Sequence, residues 1–463
     1  MKDANERNHE TDCAADDMLN RILSARERRA DVQRGMLAEF GRPLISFTLN
    51  IAGARKTFPL AQQAFSEGKL QIARQLEREG IPVAVYREIF GDAGSCGIWA
   101  LDADPVRIKK LAISIEEGSG LVRLFDIDVL RADGSGISRR ELGLPMRKCL
   151  ICGAEAHACA RSQKHPVEEL IHRTEELLRD YFDRRFADQV AGAALRALMY
   201  EVSVTPKPGL VDRNNNGAHR NMDFFKFIDS CSALVPYFHA FTMKGMRLKG
   251  TPGQLFQAVR YTGQAAEDAM FAATGGVNTH KGAIYSLGLI CAAAGRLHRG
   301  KKKAGPGDVT ALCSEMAKVS LKELEEKKSA PETHGEAAFS RYGFLGVKGE
   351  AANGFPSVIH VAFPVLRGLL KQGVSYNDAG AVTLLHLIAT VEDTNIAART
   401  EKRTYAAVRR KVQNLIDSVT DTDGLLCAAR RLDGEFIALN ISAGGCADLL
   451  AIAFMLVFLY QPD

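Results

Sequence analysis

Up to about residue 166 the sequence alternates between two hydrophobic periods; beyond Val167 one of the two is gone. "PLISFTLNIA", "IPVAVYREIF", "CGIWALDA" and "LVRLFDIDVL" are rich in β-branched and aromatic residues and read as strands. Between them, "NRILSARERRADVQRGMLAEF" sets Ile22, Leu23, Val32, Met36 and Leu37 on one helical stripe. "DPVRIKKLAISIEE" has a helix start at Asp104 with Pro105 in the first turn, where its missing N–H is no loss. After Val167 only helical patterns remain. "GAIYSLGLICAAAG", "AGAVTLLHLIAT" and "ADLLAIAFMLVFLY" are apolar on all sides and so read as buried helices. The chain is therefore expected to be multidomain: an N-terminal α+β domain with a mixed or antiparallel sheet, then a C-terminal all-α helical domain. The joint is placed in the run "VEELIHRTEELLRDYFDRRFADQVAGAALRALMYEV", which is expected to break near Asp188. This gives a mobile stretch at 1–20, a first domain at 21–185 and a second at 186–463.

Several function classes recede on simple grounds. A net charge of +5 over 463 residues is too modest for a dedicated nucleic-acid binder but allows an anionic small substrate. The ten irregularly spaced cysteines do not form a disulfide framework. Cys231, Cys291, Cys427 and Cys446 lie in apolar helical runs, where reduced cysteine acts as a small hydrophobe. The N-terminus lacks the apolar core of a secretory signal. Leu449–Tyr460 is too short for a bilayer, which needs about 20 apolar residues. A cytoplasmic protein without a membrane partner is expected. The basic stretch "HRGKKKAGPGD" at 298–308 reads as a solvated surface loop.

In the first half, Asp126 and Asp128 stand two apart on a strand, so both carboxylates share a face. Such a pair can hold Mg2+ against a triphosphate, or can be two solvated residues near a strand end. Arg131, Arg139, Arg140 and Arg147 follow, with Glu141 among them; they suit phosphate recognition or a plain basic loop. "CLICGAEAHAC" offers Cys149, Cys152, His157 and Cys159, but a second pair at zinc-finger spacing is missing. Ordinary reduced cysteines are expected there, not structural zinc. "RPLISFTLNIAG", "RLFDIDVL", "ISRRELGLPMRKCLICG" and "CARSQKH" resemble the phosphoribosyl-dephospho-CoA transferase of citrate lyase over roughly residues 20–180. The resemblance implies transfer of a phosphoribosyl-dephospho-CoA unit to a serine of the lyase's acyl carrier subunit, with loss of pyrophosphate. It favours the metal reading of Asp126 and Asp128.

In the second half, "TPKPGLVDRNNNGAHRNMD" at 205–223 holds Lys207, Asp212, Arg213, Asn215, His219, Arg220 and Asp223 in one polar run. By composition it buries little and orders poorly by itself, so a charged ligand is expected to order it. "TGGVNTHKGAIYSLG" places Asn278, Thr279, His280 and Lys281 at the start of a buried helix, a seat for phosphate. Gly282 follows the lysine, and the preceding segment reads as helix, so this is not a Walker P-loop. "VEDTN" supplies Glu392, Asp393, Thr394 and Asn395, and "NISAGGCAD" supplies Asn440, Gly444, Gly445 and Asp448. Glu267 and Glu350 are further acids beside small residues. Polar, Gly-containing clusters that each abut an apolar helix suggest one site at one end of the bundle.

"EVSVTPKPGLVDRNNNGAH", "GGVNTHKGAIYSLG", "EDTN" and "GGCADLLA" resemble the triphosphoribosyl-dephospho-CoA synthase family over about residues 187–463. That family implies attack of the 2'-hydroxyl of 3'-dephospho-CoA on ribose C1' of ATP, with release of adenine. Mg2+ on the triphosphate is then expected, with Asp212, Glu392 and Asp393 among its holders. Lys207, Arg213 and Lys281 become phosphate partners, and Asn215, Asn278, Thr279, Asn395, Gly444 and Gly445 line the nucleotides. Asp212, Asp223, Glu392 and Asp393 form the acidic set for base and charge-stabilising duties, and His280 is a candidate acid for adenine. Two alternatives stay open: the equivalent role for malonate decarboxylase, and a non-catalytic carrier-protein assembly factor.

Overall fold

Four strands form at the four segments with strand character. The computed structural model describes residues 2–91, 93–300, 304–326, 339–340 and 342–460. By contacts it divides into two compact units, Met1–Phe182 and Asp183–Asp463.

In the first unit β1 (Leu44–Leu49), β2 (Val83–Ile89), β3 (Cys96–Leu101) and β4 (Phe125–Leu130) make one sheet in the order β2-β3-β1-β4. Every pairing is antiparallel. Alternation decides which side chains meet which layer. Ile45, Phe47, Trp99, Leu101, Phe125, Ile127 and Val129 face a core shared with α2 (Pro59–Arg78) and α3 (Pro105–Glu116). Phe47 stacks on Phe65 of α2 at 5.3 Å between centroids. Leu44, Cys96, Ile98 and Ala100 face the other way, against Met36 of α1 (Lys2–Phe40). The backbone of residues 2–20 belongs to that helix. Asp104 caps α3 by accepting from the Arg107 N–H at 2.9 Å.

α4 (Ala156–Arg161) and α5 (Val167–Ser203) follow β4. The break expected near Asp188 does not occur. Asp188 sits on the helix surface, where its carboxylate meets His239 Nδ1 at 2.8 Å, and a polar residue facing outward is no helix breaker.

Among its described residues the second unit contains helices and no strand. Its elements include α6 (Phe224–Arg247), α7 (Pro252–Thr274), α8 (Lys281–His298), α9 (Pro306–Glu326) and α10 (Gly346–Ala352). Next come a π-helical turn at Val358–Ala362, α11 (Phe363–Lys371) and α12 (Tyr376–Thr390). The unit ends with α13 (Thr394–Arg399), α14 (Lys402–Ser418), α15 (Thr422–Ala438) and α16 (Gly444–Tyr460). α8, α12 and α16 have no polar face and are enclosed by the others. Among the described residues no helix is long and apolar enough to cross a membrane. Cys231, Cys291 and Cys446 are buried, whereas Cys427 is exposed on the outer side of α15 and does not act as a core hydrophobe. Lys301–Lys303 of the basic stretch lie outside the described residues.

Candidate functional site

In the first unit, residue pairing places Asp126 opposite Thr48 and Asp128 opposite Ser46, so both acids project from the α1 side of the sheet. A cavity of about 180 Å³ opens there, lined by Asp126, Thr48, Asn50, Arg26, Arg29 and Lys56 among others. Burial, followed by the Arg26 charge, lowers the Lys56 pKa. Asp128 is solvent-exposed as a residue, yet protein atoms crowd its carboxyl group. That desolvation, followed by the Asp126 charge, raises its pKa. Arg147 lies 3.6 Å from Asp126. Arg139 turns inward to Glu116 at 2.7 Å, Arg131 pairs with Glu141, and Arg140 is exposed. The arginine segment therefore spends most of its charge on internal carboxylates. The cations at the cavity come from α1 and from the loop after β1. Arg26 and Arg29 stand at i and i+3 of one helix face, a spacing legible in "SARERRADV".

The cysteines after β4 also converge. Cys149, Cys152, Cys159 and His165 place ligand atoms within 4.8 Å of one another, while His157 is not among them. The Ala154 N–H, then the nearby His165 ring and the Cys159 thiol, pull the Cys152 thiol down to about 6. Its partner thiol at Cys159 is pushed up to about 11, chiefly by Cys152.

In the second unit a cavity of about 970 Å³ gathers several of the polar clusters. Asn278, Lys281, Glu392, Asp393, Asn395, Gly445 and Asp448 line it, together with Glu267 and Glu350. Lys281, in the first turn of α8, meets Glu267 of α7 at 2.8 Å. Glu392 is exposed to the opening. Asp393 is buried and its Oδ1 accepts from the N–H groups of Asn395 (2.8 Å) and Ile396 (3.1 Å), capping α13. Its Oδ2 accepts from Cys446 N–H at 2.9 Å and so ties down the start of α16. Burial raises its pKa against the pull of those donors.

Asp448 is half-buried in the cavity wall with its carboxyl group crowded by protein atoms, and that desolvation, followed by the charges of Glu201 and Asp393, raises its pKa well above the usual carboxylate range. Gly282 is what lets it approach α8: a Cβ there would stand 2.0 Å from Asp448 Oδ2. Burial also raises Glu350, whose carboxylate accepts from Ser357 Oγ at 2.6 Å. Arg260, Lys348 and Arg409 complete the ring of cations. None of these three stood out in the sequence, although "GVKGEAANG" carries a lysine between glycines where backbone can approach a ligand.

The 205–223 segment behaves otherwise than its composition suggests. Residues 206–212 are buried. Asp212 organises the loop by accepting from the N–H groups of Lys207 (3.1 Å), Asn214 (2.7 Å) and Asn215 (3.0 Å). Asn215 donates to Asp433 at 2.8 Å, and Gly209 N–H to the same carboxylate at 2.9 Å. Arg213 donates to Asn377, and Asp223 caps α6 through Lys226 N–H. Lys207 is buried against Glu201. Internal hydrogen bonds therefore order this loop, and none of its residues lines the cavity. His280 is buried too, with Nδ1 at 2.7 Å from Ser230 Oγ and Nε2 unpartnered. Burial, then the Lys207 charge, lowers it to about 3, so the ring is neutral near pH 7. Thr279 is at the same helix start with a buried, unpartnered hydroxyl. Gly444 packs its backbone against the Asn395 amide.

Comparison with known proteins assigns both units. Residues 187–463 match the model of the ATP:dephospho-CoA triphosphoribosyl transferase family, and residues 17–181 that of apo-citrate lyase phosphoribosyl-dephospho-CoA transferase. A Haemophilus influenzae protein called "Protein CitXG" is 35% identical over 95% of this chain and 96% of its own. This chain belongs to that two-part transferase family. A second "Protein CitXG", from Leuconostoc mesenteroides subsp. cremoris, is 33% identical over the same shares. The 2-(5''-triphosphoribosyl)-3'-dephosphocoenzyme-A synthase of Klebsiella pneumoniae is 40% identical over 58% of this chain and 90% of its own. Met1–Phe182 is therefore the transferase unit and Asp183–Asp463 the synthase unit.

Proposed function

We propose that the chain is a bifunctional cytoplasmic transferase that makes and attaches the citrate lyase prosthetic group. The synthase unit joins ATP to 3'-dephospho-CoA. The 2'-hydroxyl oxygen bonds to ribose C1' of ATP, the C1'–adenine bond breaks, and the triphosphate stays on the ribose. The transferase unit then passes the phosphoribosyl-dephospho-CoA group to a serine of the apo carrier subunit, and pyrophosphate leaves. The observation that carries this reading is the 970 Å³ cavity, which gathers cations, carboxylates and small residues from separate motifs of the synthase match. That volume is at the upper end of small-molecule sites, about 300–1,000 Å³, and suits two nucleotides meeting.

Two carboxyl groups in contrasting surroundings suit the chemistry. Asp448, desolvated and raised, holds a proton it can give to departing adenine, a role the neutral His280 ring fills poorly. Glu392, open to the cavity, faces the charge that develops at C1' or accepts the hydroxyl proton. Lys281, Arg260, Lys348 and Arg409 surround the triphosphate. Glu392 and Glu267 would hold Mg2+ in the synthase unit, with phosphate oxygens completing its shell, and Asp126 and Asp128 would hold it in the transferase unit. Once bound, the ion neutralises phosphate charge. Arg26, Arg29 and Lys56 bind the triphosphate end of the intermediate beside Asp126.

The test is to incubate the full chain with ATP, Mg2+ and 3'-dephospho-CoA and separate the products. Free adenine is expected; AMP or ADP would overturn the assignment. Adding apo carrier subunit should raise its mass by one phosphoribosyl-dephospho-CoA group.

A further inference from the structure

Four side chains able to bind a metal meet in the segment between β4 and α5, and none of them is among the residues assigned to chemistry. Cys149 and Cys152 lie in a tight turn in which Cys149 N–H donates to Ala154 O at 2.6 Å and the backbones of Lys148 and Glu155 pair as an isolated antiparallel bridge. Gly153 takes φ +71°, a value that L side chains rarely adopt, and the chain turns there around the second sulfur. The Ile151 N–H points at Cys149 Sγ, 3.5 Å away. Cys159 comes from α4, and its sulfur is 3.5 Å from that of Cys152. His165 enters just before α5. Its Nδ1 faces Glu169 Oε2 at 3.4 Å, while Nε2 is buried without a directed hydrogen bond.

We propose that Cys149, Cys152, Cys159 and His165 hold one structural zinc ion. Tetrahedral zinc, with Zn–S near 2.3 Å and Zn–N near 2.0 Å, sets its ligand atoms about 3.5–3.8 Å apart. The cluster meets that spacing at Cys152–Cys159 and lies within 4.8 Å throughout. Glu169 on Nδ1 fixes the tautomer that frees Nε2, the arrangement that orients histidine on zinc. Three thiolates on a dication leave one negative charge, and Lys164 Nζ stands 3.8 Å from Cys152 Sγ to meet it. A Cys152–Cys159 disulfide is the rival. It would leave Cys149 and the buried His165 nitrogen unused, whereas zinc occupies all four. The four protein ligands close the site, so its role is to hold the chain. Arg123 donates to Lys148 O at 2.7 Å and its carbonyl accepts from Arg147, so the tethered turn adjoins the one arginine that pairs with Asp126 among the described residues.

Elemental analysis of the purified full chain is expected to give one zinc per chain. His165→Ala should lower that content, and His157→Ala should leave it unchanged. Exchange into Co2+ should produce the thiolate charge-transfer and tetrahedral d–d bands of a sulfur-rich site. Because His165→Ala could fail to fold, the cobalt spectrum of the native chain decides independently. A native chain with no zinc and no such spectrum, or one isolated with a Cys152–Cys159 disulfide, overturns the proposal. Zinc content and cobalt bands unchanged in His165→Ala overturn it as well.

Discussion

Lys207 and Glu201 are paired while almost wholly enclosed, with side chains 2% and 5% exposed. Removing one partner strands the other charge, so Lys207→Ala should cost roughly 3–5 kcal/mol of synthase-unit stability. The double variant Lys207→Met, Glu201→Leu should regain most of it, since packed apolar residues avoid the desolvation cost. Urea unfolding of the three chains reads this out, and adenine release by the stable double variant tells whether Lys207 also meets phosphate. Asp448 gives a pH-dependent case. Its folded pKa lies above the unfolded value near 3.9, so its stabilising contribution is complete below about pH 4. That contribution is lost as pH rises through the folded value. Asp448→Asn should therefore gain on the wild-type chain in urea midpoint as pH rises above 4, and match it at pH 4. The same substitution should cut adenine release by about 10²–10⁴-fold if Asp448 is the proton donor. Equal midpoints across that range would remove the buried-acid reading.

Among the elements, the four strands were legible because each carries β-branched residues between Gly or Pro, and a one-residue slip would expose Ile127 and Val129. The apolar helices α8 and α16 were legible for want of a polar face. The loop at 205–223 was misread, because composition counts polar groups and not their partners; Asp212 and Asp433 satisfy it from within. Of the cluster Cys149, Cys152, Cys159 and His165, the three cysteines were visible in the sequence but His165 was not, since a short helix and a turn bring it in where no spacing rule places it. Asp393 was legible as an acid, but its burial beneath two helix starts was not. Its carboxylate accepts three backbone N–H bonds that serve α13 and α16 together. Asp393→Ala should therefore cost about 2–4 kcal/mol, beyond a single cap, because it frees donors at both helices. Asp393→Asn, which keeps one acceptor, should lose about half as much. Thermal unfolding of both variants checks the order, and an alanine variant as stable as wild type would refute it.

For the whole molecule, two units with separate cores and separate cavities carry two consecutive reactions. Each proposed site draws on residues of its own unit: Asp126, Arg26, Arg29 and Lys56 line one cavity, and Lys281, Glu392 and Asp448 the other. A substitution at one site should therefore leave the other reaction intact. Asp126→Asn removes a negative charge where metal and triphosphate are expected, and should abolish carrier modification while adenine release stays within about twofold of wild type. Asp448→Asn should do the reverse and still modify the carrier when supplied with the finished intermediate. The intermediate is a polyanion that water solvates well, so nothing in its chemistry confines it to the chain that made it. Mixing the two defective chains with ATP, Mg2+, 3'-dephospho-CoA and apo carrier should then restore modification, read as the mass of the carrier. Restoration that rises with the concentration of the Asp126→Asn chain would show the intermediate passing through solution. A mixture that stays inactive, with both single reactions confirmed, would mean that the product must reach the transferase site of the same chain.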